Sequence, residues 1–178
     1  MPNIGRETIA VNPRAVNSGS IKGLRITMAE AGSAGVTITA YVSDSATGDG
    51  FRCALIQDGD KTTVLASSDI RTDISTAGWY TFSGGGLASF TPANATSYVL
   101  AVSSNSAANA NAYEDDASLD AWAGATSAFD PLALSGAMTS DAIRDYSIYM
   151  TYTAAGGSDN PLANIKRYGP GRYIPFIR

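Results

Sequence analysis

From Ile21 to Thr153 the chain keeps returning to one pattern: short blocks in which apolar and polar side chains alternate, rich in β-branched and aromatic residues. A strand turns successive side chains to opposite faces, so each block reads as a strand with one face buried. SIKGLRITMAE places Ile21, Leu24, Ile26 and Met28 on or near one face. After AGSAG, read as a loop, Val36, Ile38, Ala40 and Val42 alternate with Thr37, Thr39 and Tyr41. FRCALIQ, DGD and KTTVLASS form two apolar runs joined by an Asp-Gly turn, which predicts a β-hairpin. GWYTFSGG, a short LASF piece, SYVLAVSSN and DYSIYMTYTAA complete the series, the last alternating Tyr146, Ile148, Met150 and Tyr152 against Ser147, Tyr149, Thr151 and Thr153. The expected class is all-β, an antiparallel sandwich.

Composition narrows this further. A chain of 178 residues, 44% of them hydrophobic, is long enough to bury one substantial core. Only 16% are charged and Leu/Glu/Lys-rich runs are missing, which disfavours long helices. Cys53 is the single cysteine, so neither an intrachain disulfide nor a Cys-based zinc site is expected. No window reaches the roughly 18 to 20 apolar residues of a membrane-spanning helix, and the start MPNIGRETIAVNP does not read as a signal peptide. No membrane partner is expected.

Two stretches break the alternation. Between Ser104 and Asp145 small residues, acidic clusters and scattered aromatics predict a long, partly structured insertion over about 105–144, pinned by Trp122 and Phe129. The body is thus expected over 1–155, with an extended arm over 156–178. The arm carries three of the seven prolines in its final eighteen residues and cannot be a central strand. It is too apolar for a solvated tail, so docking is expected through Ile165, Tyr168, Tyr173, Ile174 and Phe176, with Arg167, Arg172 and Arg178 meeting acidic surface. The surface is either a neighbouring subunit or the chain's own sandwich. From Asp159 on, four basic residues face one acidic, a net +3, so the chain total of −4 leaves −7 on the rest. Four cations are too few for a nucleic-acid arm, and no nucleic-acid partner is expected.

The succession ALIQDGDKTTVLASSD, TAGWYTFSGGGLASF and ATSYVLAVSSNSA, closed by DYSIYMTYT, resembles a jelly-roll module of phage virion proteins and bacterial surface proteins. The resemblance covers roughly Ile21 to Asn105 plus the closing strand. It implies a jelly-roll sandwich and a role in display or adhesion, as in carbohydrate-binding modules, capsid decoration proteins and tail fibres. It carries no catalytic residues with it.

The chain contains no histidine, which removes Ser-His-Asp and Cys-His triads and all imidazole metal ligation. Cys53 sits in an apolar run and reads as a buried small hydrophobe. Glu7, Glu30, Glu114, Asp115 and Asp116 could pair as glycosidase carboxylates, but no motif frames them. No enzyme and no cofactor are expected. Weak calcium candidates are Asp44 and Asp49 in DSATGDG, with Glu114, Asp115 and Asp116 in YEDD; the alternative is that both are solvated turns.

Two functions follow as expectations. The first is a virion structural protein, a phage capsid decoration protein displayed on the particle surface and partnered by other virion proteins through its arm, as a dimer or trimer. The second is a glycan-binding module in which Tyr41, Tyr113 and Trp122 stack on sugar rings. A third, a small coat protein, is less compatible with so weakly basic an arm.

Overall fold

The computed structural model describes residues 1–43, 49–107, 110–115, 120–141 and 144–156. Over these residues the chain forms β1 (Asn3–Gly5), β2 (Asn12–Ala15), β3 (Ser20–Thr27), β4 (Gly32–Ser43), β5 (Phe51–Gln57), β6 (Val64–Ser67) and β7 (Gly78–Phe82). A 3-10 turn at Gly85–Ala88 precedes β8 (Ser97–Ser104), β9 (Asn111–Asp115), β10 (Ala121–Phe129), β11 (Leu132–Leu134), β12 (Thr139–Ser140), β13 (Asp145–Tyr146) and β14 (Ile148–Ala154). Every pairing between them is antiparallel. The all-β expectation holds.

The strands divide into two sheets. In the first, β4 pairs with β14 and with β7, β1 adds to β14, and β9 joins the end of β4 and carries β2 and β13. In the second, the order is β11-β10-β3-β8-β5-β6, with β12 also on β10. The alternating side chains then do what their pattern requires. Val36, Ile38, Ala40 and Val42 of β4, with Ile148 and Met150 of β14, meet Leu24 and Ile26 of β3, Leu55 of β5 and Leu100 of β8 in one continuous core. Each large aliphatic buried there contributes about 1.5 to 3 kcal/mol.

The second sheet is covered on both faces. Phe51 to Ile56 of β5 and Tyr98 to Ser104 of β8 are buried without alternation. Behind them Ile21, Ala54, Ile56, Val99 and Ala101 form a second cluster with Leu132 and Met138, against which Val64, Trp122 and Leu134 pack. The chain that supplies this cover is the partly structured insertion expected over 105–144. Its described residues contain β9, which enters the first sheet, and β10 to β12, which extend the second. A strand such as AWAGATSAF shows almost no contrast between its faces, so alternation could not reveal it. Its small residues have a function: a Cβ at Gly124 would lie 2.9 Å from Met138 Cγ and 3.3 Å from Ile21 Cγ2. Phe129 is the far anchor, held by Arg52, which donates from Nη1 to the Phe129 carbonyl at 2.9 Å and pairs with Asp130 at 3.0 Å. AGSAG is likewise strand in part, because β4 begins at Gly32 and pairs with Ala154 there.

The predicted hairpin forms between β5 and β6, with Leu55 opposite Ala66 and Ile56 opposite Val64. Its turn is organised by Asp60, whose carboxylate accepts from the backbone N–H groups of Thr62 at 2.9 Å and Thr63 at 3.0 Å and from the Thr63 hydroxyl at 2.5 Å. The Thr63 hydroxyl bond first, and then the backbone N–H bonds, pull the Asp60 carboxyl down to about 2. A folded-state value below the ordinary one means the stabilisation is present above the usual carboxylate range and lost as pH falls through the folded value. Asp60→Ala therefore lowers Tm at pH 7, and the deficit against wild type closes as pH falls from about 4 toward 2, read by thermal melts across that range.

Candidate functional site

Inward-facing Val36, Ile38, Ala40 and Val42 leave Thr37, Thr39, Tyr41 and Ser43 on the outer face of β4. The same alternation puts Trp79 and Thr81 of β7, Tyr149 and Thr151 of β14, and Asn111, Tyr113 and Asp115 of β9 on that face. Register then brings the rings together. Tyr41 lies directly opposite Trp79, and Thr39 lies between Tyr149 on one side and Thr81 on the other. Ring centroids are 5.5 Å apart for Tyr41 and Trp79, 5.0 Å for Tyr41 and Tyr113, and 5.5 Å for Trp79 and Tyr149. Tyr41 stands nearly perpendicular to both its neighbours, at interplanar angles of 80° and 88°, the edge-to-face arrangement that aromatic quadrupoles favour.

The four rings form a half-buried cluster with polar supports. Thr39, on the outward side yet only 5% exposed, shares a 3.0 Å hydrogen bond with the Thr81 hydroxyl. The Tyr113 and Ser43 hydroxyls are 3.3 Å apart. At the β1 edge, Gly5 has φ +119° and a Cβ there would lie 2.8 Å from Tyr149 Cα, so the rim beside Tyr149 carries no side chain. At the other rim Pro13 and Ala15 of β2 lie opposite Tyr113 and Asn111 and are exposed, and Val11 just before them is 75% exposed.

Charged groups around this face are engaged in ion pairs. Glu114, fully buried on the inner side of β9, accepts from Arg14 Nε at 2.7 Å and lies 3.7 Å from Arg144. Its neighbour Asp115 points the other way and is bound by Arg6, which also pairs with Asp145 at 3.1 Å. Burial pushes the Asp145 carboxyl up. Burial, together with a 2.8 Å hydrogen bond donated to Asp141, holds the Tyr146 phenol well above its usual range. A cleft of about 520 Å³ opens between the β1 end and β3, and its cations are paired too, Arg25 with Asp58 at 3.0 Å and Asp120 at 3.8 Å.

Of the three residues expected to touch glycan, Tyr41 and Tyr113 come together on this face. Trp122 is elsewhere, on β10 of the second sheet, with Lys61 Nζ 4.3 Å from its ring centroid. Trp79 and Tyr149 were missed, although alternation already set Tyr149 opposite Ile148, Met150 and Tyr152. What local sequence lacked was the cross-strand register that joins them. Of the calcium candidates, Asp44 and Asp116 lie outside the described residues. Among the described residues no group of three or more His, Cys, Asp or Glu converges, at Asp49 or elsewhere. Cys53 is buried in the core, where desolvation pushes its thiol well up. The arm residues Ile165, Arg167, Tyr168, Arg172, Tyr173, Ile174, Phe176 and Arg178 also lie outside the described residues. No protein-family model matches the chain, and no curated protein matches it in sequence.

Glu114 fixes β9 and with it Tyr113. Glu114→Gln removes the carboxylate that Arg14 pairs with, while Arg144 keeps Asp141 at 3.2 Å, and the expected outcome is a lower urea unfolding midpoint than wild type with an unchanged slope.

Proposed function

We propose that the chain is a non-catalytic recognition module that holds a glycan against the outer face of its first sheet. The observation that carries this reading is the contact cluster of Tyr41, Trp79, Tyr113 and Tyr149 on a face where threonine hydroxyls surround the rings and the Asp115 carboxylate is paired with Arg6. A pyranose ring offers an apolar C–H side to an aromatic ring and hydroxyls to its surroundings, and this face supplies both kinds of partner. Rings clamped edge-to-face lose little freedom on binding, which lowers the cost of association. The test is a titration of the full chain and its Trp79→Ala variant with an oligosaccharide panel. Binding that falls about tenfold or more in the variant, with its Tm close to wild type, supports the reading; equal affinities in both proteins overturn it.

The charge separation between body and C-terminal residues favours a second reading, virion display with the arm as assembly device. A net +3 from Asp159 on, set against −7 before it, suits an arm that grips the acidic body of a neighbouring copy. Light scattering of the full chain and of residues 1–156 tests it. A full-length oligomer that becomes a folded monomer on truncation supports assembly through the arm, and a full-length monomer argues against it.

A further inference from the structure

The three strands at the centre of the first sheet, β4, β7 and β14, read GSAGVTITAYVS, GWYTF and IYMTYTA, and no residue in them is charged. This is unusual for a sheet with a solvent-facing side, where Lys and Glu normally provide the cover. In place of charge the outward positions carry Thr37, Thr39, Thr81 and Thr151 beside the rings, with Asn3 accepting from the Thr151 hydroxyl at 2.7 Å. The nearest cations are committed elsewhere. Arg6 is bound to Asp115 and Asp145 at one end, and Arg71 at the β7 edge is paired with Asp73 at 2.6 Å and donates to the Thr81 carbonyl at 2.8 Å.

We infer that this face selects neutral glycan chains and rejects anionic ones, a conclusion that rests on the glycan reading above. An anionic sugar brings a carboxylate or sulfate that must give up water, and charge-assisted partners are what make that exchange favourable. Among the described residues no cation beside this face is free to provide them without breaking an existing ion pair. A neutral hexose needs only hydroxyl and amide partners and an apolar surface, which are the groups present. A neutral chain carries no charge for the protein's field to act on, so its binding is insensitive to salt.

The experiment titrates the full chain with neutral hexasaccharides of glucose, xylose and N-acetylglucosamine, and in parallel with oligogalacturonate and a sulfated galactan hexasaccharide, in low salt and in 0.5 M NaCl. Tryptophan fluorescence and calorimetry read the binding. The expected result is saturable binding of at least one neutral oligomer that is unchanged by salt and about tenfold weaker in Trp79→Ala or Tyr41→Ala. In Thr37→Lys, a cation introduced on the face should raise oligogalacturonate affinity at least threefold at low salt and not at high salt. Tighter binding of either anionic oligomer by the wild-type protein, declining with salt, overturns neutral selection while leaving the glycan reading in place. No response to any sugar overturns both. In that case a concentration-dependent mass in light scattering that Trp79→Ala abolishes would assign the face to a second copy of the chain.

Discussion

Hydrogen bonding of β4 to β14 along one edge and to β7 along the other is the constraint on which the rest of the molecule depends. It aligns Ile38 with Met150 and Phe82 on the inner side, so one register serves the core. The same register places Tyr41, Trp79 and Tyr149 as neighbours on the outer side. A slip of one residue in β4 would send Val36, Ile38, Ala40 and Val42 into water and turn Tyr41 into the core, so the aromatic cluster inherits its geometry from hydrophobic burial. The aromatic face therefore has no separate scaffold.

The two sheets solve the problem of their outer faces differently. The first finishes its own with half-buried rings and hydroxyls. The second carries a further apolar layer, Ile21, Ala54, Ile56, Val99 and Ala101, and closes it with residues from β10, β11 and the segment around Met138. Arg52 and Lys61 secure that cover from the β5 side, Arg52 through the Phe129 carbonyl and Lys61 through the Trp122 ring and a backbone bond from Met138 N to its carbonyl at 3.0 Å. Trp122 thereby serves the covered side of the molecule.

Where burial differs between the two faces of a strand, the sequence announces it. Ile148, Met150 and Tyr152 against Tyr149 and Thr151 could be read directly, and so could the β5–β6 hairpin with its Asp-Gly turn. β10 could not, because Ala, Gly, Ser and Thr are small enough to lie on either face and leave no period. β5 and β8, buried on both sides, announce strands but not what covers them. The candidate site was half legible. Tyr41 and Tyr113 stand out as aromatics among polar neighbours, whereas the nearness of Trp79 and Tyr149 depends on pairings across roughly 40 and 110 residues of chain, which no local window contains.

β1 closes the first sheet by pairing Asn3 with Thr151, and Tyr152 N donates to the Pro2 carbonyl at 3.2 Å. The two strands are antiparallel, so the lead-in to β1 and the lead-out from β14 leave from the same end of their shared ladder. Tension applied between residues 1 and 156 consequently acts on the outermost hydrogen bond first and peels the ladder open one rung at a time, instead of loading all rungs together in shear. Along the line joining its flanks, the first step of opening has only the three β1–β14 residue pairs and the flanking Tyr152 N–Pro2 and Arg6 N–Ile148 hydrogen bonds to break, however firmly the core is packed.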